Sequence, residues 1–115
     1  MSFQLEIEQK FAVWANLGVG DASVVLVDAQ PNTRIIVTTV IVTGKIMAAQ
    51  AIYVGDSSGT VKVLDLPASI PAVGQQEAVQ LVNGISLTKG EAIIIKPAAA
   101  GPSVHVIAEG YLLRS

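Results

Sequence analysis

One histidine, nine carboxylates and no cysteine are the reactive side chains that this 115-residue chain offers beyond its seven lysines and arginines. Without cysteine there is no disulfide, thiolate nucleophile or cysteine metal site, a composition that fits a reducing compartment. A Ser-His-Asp relay or a histidine metal site would have to use His105. The carboxylate nearest to it in sequence, Glu109, lies four residues on along the same expected strand face, about 13 Å away. Sequence neighbours therefore assemble neither a relay nor a ligand set, and His105 is expected on an outward or interfacial strand face. The carboxylates Glu6, Glu8, Asp21, Asp28, Asp56, Asp65, Glu77, Glu91 and Glu109 are spread singly. Two of them paired in space could serve glycoside hydrolysis, but sugar clefts stack their substrate on aromatic rings, and aromatics are only 4% of the chain. Phe3, Phe11, Trp14, Tyr53 and Tyr111 do not cluster, and they read as core residues with an interfacial tyrosine.

The glycine motifs point to turns. Lys89-Gly90 has the lysine before the glycine, so the phosphate-binding order GxxxxGK[ST] is absent, and no helix starts there to aim N–H groups at an anion. "GVG" at 18–20 lacks the third glycine and the helix of a dinucleotide fingerprint. "DSSG" at 56–59 offers one carboxylate and two hydroxyls, where calcium takes about six to eight oxygens. No catalytic constellation, cofactor site or metal site emerges, and a non-enzyme is expected.

Half of the chain is hydrophobic (51%) and only 14% is charged, against about 25% charged in an ordinary soluble domain. No uninterrupted apolar run reaches the roughly 20 residues of a spanning helix. Residues 35–54 come nearest and are broken by "TGK" at 43–45 and by Gln50. A charge-poor surface then implies a subunit covered by neighbours, because buried interface needs few charges. A net charge of −2 supplies no attraction to nucleic acid or anionic membrane. The acidic start "MSFQLEIEQK" lacks the basic region and apolar core of a secretory signal, so synthesis and folding in a cytoplasm are expected.

The elements that must position these residues read as strands. Phe3, Leu5, Ile7, Phe11 and Val13 occupy odd positions, and Gln4, Glu6, Glu8 and Lys10 lie between them, which puts the apolar set on one face of a strand. "SVVLV" stops at Gln-Pro-Asn. "TRIIVTTVIVTGK" is the longest β-branched run, apolar or Thr on both faces, and is expected to be central or partner-covered. "MAAQAIYVGDSSGTVKVLDLP" reads as a hairpin. "EAVQLV" ends at a Gly-rich break, "ISL" leads to the Lys-Gly turn, and "EAIIIK" and "SVHVIAEGYLL" close the chain. About eight strands with turn signals between them and no significant helix predict a single domain, residues 1–115. Its fold class is all-β: an antiparallel β-sandwich, jelly-roll or Greek-key-like. "VGDASVVLVDAQP" (19–31) and "VGDSSGTVKVLDLP" (54–67) echo one another, which duplicated halves of a two-sheet fold would produce but which shared turn chemistry explains more simply.

In the last strand Val104, Val106 and Ala108 share one face, and His105, Ile107, Glu109 and Tyr111 share the other. With the first set in the core, Ile107 and Tyr111 form an exposed apolar pair, with His105 and Glu109 beside them. Tyrosine supplies rigid area and a polar tip at low entropic cost, so this face is expected to contact a neighbouring subunit.

From about residue 35 onward, "IIVTTVIVTGKIMAAQAIYV", "LVNGISLTKGEAIII" and "VHVIAEGYLL" resemble small all-β structural proteins of tailed-bacteriophage virions. That resemblance implies a cofactor-free β-sandwich that assembles through strand edges and flat apolar faces. It places Ile85 and Leu87 in the core before a turn that needs Gly90, and Ile93 to Ile95 in a strand covered on both sides. The function expected is a capsid decoration or cement subunit bound to the major capsid protein or other virion proteins on the capsid surface. It is expected to be a homo-oligomer, a trimer. A tail or head–tail component, and a receptor- or glycan-binding sandwich of the fibre-head type, are the alternatives.

Overall fold

The structure, a computed structural model, describes residues 7–46, 50–67 and 74–114, with backbone alone at Ile7, Glu8, Ile46 and 81–83. Phe3, Leu5 and Glu6 lie outside the described residues.

Eight strands and no helix occur among the described residues: β1 (Ile7–Leu17), β2 (Val24–Val27), β3 (Thr33–Ile46), β4 (Ile52–Asp56), β5 (Lys62–Leu66), β6 (Gln76–Ser86), β7 (Ile93–Pro97) and β8 (Ser103–Arg114). They form two four-stranded antiparallel sheets, ordered β1-β8-β3-β6 and β2-β7-β4-β5. The pairing is nested, β4 with β5, β3 with β6, β2 with β7 and β1 with β8. The chain is thus one long hairpin rolled across two sheets, which is the jelly-roll arrangement. The first sheet has strands of 11 to 14 residues and the second of four or five.

Between the sheets, Leu17, Val37, Val40, Val42, Val104, Val106 and Ala108 from the long sheet meet Ile52, Val54, Ile93 and Ile95 from the short one. Most are β-branched, stiff at χ1 and well suited to a pleated surface, and none of the fully buried described residues is aromatic. Phe11, Val13 and Ala15 are half-buried against this core, so the odd-position face of β1 points inward as its alternation predicts. β3 is central, between β8 and β6. Ile93, Ile94 and Ile95 are all buried, as expected of a strand covered on both sides. Leu87 is buried and Ile85 packs against the core.

Lys89-Gly90 is a turn. Gly90 has φ +84°, its N–H donates to the Thr33 carbonyl (3.0 Å), and the Glu91 N–H donates to the Thr88 carbonyl (3.1 Å). Only glycine reaches that φ without a Cβ clash. The expected break at Asn83-Gly84 is not a turn: β6 continues through it. Between Ile85, opposite Val37, and Gln80, opposite Thr39, the register slips, and Gly84 sits at φ +74°. The glycine serves a bulge, which sequence punctuation alone does not distinguish from a chain reversal.

The β4–β5 hairpin closes on Asp56, which is fully buried. Its Oδ1 accepts from the Thr60 N–H (2.9 Å) and Ser58 Oγ (3.0 Å), and its Oδ2 from Thr88 Oγ1 (2.8 Å) and the Val61 N–H (3.2 Å). Burial on its own pushes this carboxyl up, but the bonds from Thr88, Val61 and Ser58 outweigh it and hold the group below the ordinary carboxylate range. The carboxylate of "DSSG" is thus consumed by its own turn and by the loop before β7. Asp21 in the echoing segment does a different job: it is exposed and accepts from the Gly18 N–H (2.8 Å). Val19 there is half-exposed, where its counterpart Val54 is buried in a strand. The echo is turn vocabulary, not a repeated structure.

Candidate interaction face

The long sheet turns one face to the core and the other outward. Its register aligns the outward residues in rows that cross the strands. Trp14 on β1 stands opposite Ile107 on β8, Ile107 opposite Ile41 on β3, and Ile41 opposite Ala78 on β6. One step along lies a polar row, Asn16, His105, Thr43 and Gln76, and on the other side a mixed row, Ala12, Glu109, Thr39 and Gln80. At the roughly 4.8 Å strand spacing, the apolar row is about 14 Å wide.

All four residues of the expected face lie here. Val104, Val106 and Ala108 are fully buried, and His105, Ile107, Glu109 and Tyr111 project the opposite way. The Tyr111 position is flanked by Lys10 on β1 and Ile36 on β3. The four do not form one contact set, because each belongs to a different row and its immediate partners are on other strands. His105 Nδ1 is 2.9 Å from Asn16 Oδ1, which also accepts from Lys45 Nζ (3.2 Å). The His105 ring lies against the Trp14 indole, with centroids 5.6 Å apart and planes 37° from parallel. Thr38 Oγ1 donates to the Glu109 carbonyl (3.2 Å).

Trp14 corrects the expectation that it is a core aromatic: it is 67% exposed. The signal was present in the sequence, since position 14 has the parity of Glu8 and Lys10, the outward set of β1. With Ala12, Val13, His105 and Ile107 it lines a depression of about 290 Å³. A second depression, about 580 Å³, runs beside it between Lys10, Thr38, Glu109 and Tyr111.

The chemistry available on this face is apolar contact and hydrogen bonding, with Lys10, Lys45 and Glu109 as its charged groups. Neither depression joins His105 to a carboxylate and a nucleophile. Among the described residues no group of three or more His, Asp or Glu stands ready to hold a metal ion. The features this face offers for binding are therefore shape, a protruding indole and a hydrogen-bonding row.

No protein-family model matches the sequence, and no curated protein matches it. Solved structures share the fold. A chain of the acid-stable capsid structure of Helicobacter pylori bacteriophage KHP30 superposes with a TM-score of 0.59 at 18% identity, covering 95% of each chain. A chain of the capsid asymmetric unit of cyanophage Pam1 superposes with a TM-score of 0.55 at 14% identity, covering 92% of this chain and 85% of that one. This chain is thus similar in fold, over nearly its whole length, to one chain of each of these two phage capsid structures.

Proposed function

We propose that the protein is a structural component of a bacteriophage virion, a non-enzymatic capsid decoration or cement subunit. The observation that carries this reading is the likeness over 95% of both chains to a component of the KHP30 capsid. The charge-poor composition and the apolar row Trp14, Ile107, Ile41 and Ala78 support it. A subunit of this kind binds the major capsid protein by laying such a face on the shell, where distributed apolar contact raises the cost of separating shell subunits.

The test is sedimentation of purified protein with capsids lacking it. The wild-type chain is expected to pellet with the shells. Tyr111→Asp is expected to remain folded alone, because its site is solvated there. It should stay in the supernatant with shells, because docking would bury an unpaired charge. Undiminished pelleting of a folded Tyr111→Asp chain moves the contact elsewhere, and failure of the wild-type chain to pellet removes the decoration reading.

One observation favours a second reading, a glycan-binding sandwich: the exposed Trp14 indole stands beside Asn16, His105 and Lys45. Loss of binding on a glycan array in Trp14→Ala would select it.

A further inference from the structure

A jelly roll has four free strand edges, and each offers unpaired N–H and C=O groups to any passing strand unless it is short, bulged or charged. Three edges here carry such protection. β2 has four residues and a register shift between Val25 and Val27. β5 has five, with Lys62 and Asp65 exposed and a shift beside Val54. β6 is bulged around Gly84. β1 carries Glu8 and Lys10 but differs in length and regularity: all eleven residues from Ile7 to Leu17 pair with β8 in unbroken register. Its outer edge is therefore long and regular. The large hydrophobics most exposed among the described residues also gather on this flank: Trp14 on β1 (67%), Val19 in the β1–β2 turn (49%) and Val25 on β2 (48%).

We propose that β1 pairs with β1 of a second copy of this chain, antiparallel about a two-fold axis at Ala12, joining two long sheets into one eight-stranded sheet. Three features select a second copy as the occupant. A two-fold axis normal to the sheet keeps outward residues opposite outward residues. Full overlap of eleven residues is reached only with the axis at Ala12, which allows about ten backbone hydrogen bonds, two for each alternate pair. That register sets Lys10 opposite the partner's Trp14 on both sides of the axis, a cation over an otherwise exposed indole, and sets Phe11 opposite Val13 on the core face. Since β1 is, among the described residues, the one long edge in unbroken register, pairing of like edges is isologous and closes at two copies. It gives a dimer where the sequence reading expected a trimer, and it stands whether or not the protein binds a capsid.

The test uses the full chain. The protein has no native cysteine, so Ala12→Cys carries one thiol. Across the axis its Cα lies about 4.5–5.5 Å from its twin, within the range a disulfide spans. In Gln9→Cys the two thiols are about 20 Å apart. Sedimentation velocity should show two-chain particles for the wild type. Mild oxidation should cross-link Ala12→Cys and leave Gln9→Cys uncross-linked. Trp14→Lys, at an exposed site, places like charges opposite each other and should weaken the dimer at least tenfold. Adding Lys10→Glu to it should restore the dimer, because opposite charges then face each other. Monomers or three-chain particles from the wild type, equal cross-linking of the two cysteine variants, or no rescue by Lys10→Glu would each overturn the proposal.

Discussion

Asp56→Ala is the substitution whose effect the structure predicts most fully. It removes the acceptor of four hydrogen bonds, from Ser58, Thr60, Val61 and Thr88, at a fully buried site. A bond to a charged group contributes about 1.5–3 kcal/mol net, but bonds to one acceptor are not additive, so about 3–5 kcal/mol is expected. Three residues of the β4–β5 connection and one in the loop before β7 are released together, so the loss is shared between β5 and β7. Unfolding entropy of about 2.1 cal/mol/K per residue converts this to a fall of about 12–20 °C in Tm for a domain of this length. Differential scanning calorimetry at pH 7 measures it. Acid titration adds a sign. The folded carboxyl titrates below its unfolded value, so its contribution is complete above about pH 4 and is lost as pH falls through the folded pKa. The stability gap between wild type and Asp56→Asn should therefore narrow with acidification. A fall in Tm under about 3 °C for Asp56→Ala, or a gap constant from pH 7 to pH 2, would refute the account of this turn.

Gly110→Ala should cost about 2–3 kcal/mol in urea denaturation, because an added Cβ would run into the Ile36 carbonyl oxygen and must push β8 away from β3. Phe11→Ala should cost about 2–3 kcal/mol, below the full range for a wholly buried ring because Phe11 is only half-buried, and Glu109→Ala on the outward face should stay within about 0.5 kcal/mol. Equal effects for that pair would reverse the assigned faces. Adding EDTA should leave the thermal midpoint unmoved, since the buried carboxylate is saturated by protein donors; a clear fall would reveal a structural metal.

The two-sided cover of Ile93 to Ile95 came from the resemblance, whereas strand identity, the inward face of β1 and the two faces of β8 were all legible in the sequence. Each depends on the period-two alternation or on β-branched composition, both properties of a single strand and its immediate surroundings. The same alternation held the exposure of Trp14, whose even position outranks its hydrophobicity. Other features needed the tertiary structure because they depend on partners far along the chain. Gly84 is a bulge only relative to β3, and Asp56 is a turn lock only once Thr88 arrives from 32 residues away. The rows on the outer face, Trp14 with Ile107, Ile41 and Ala78, join four strands whose order in the sheet is not their order in the sequence. Local pattern decides which way each side chain points. Which side chains become neighbours is decided by strand pairing, and that is a free-energy balance over the whole chain.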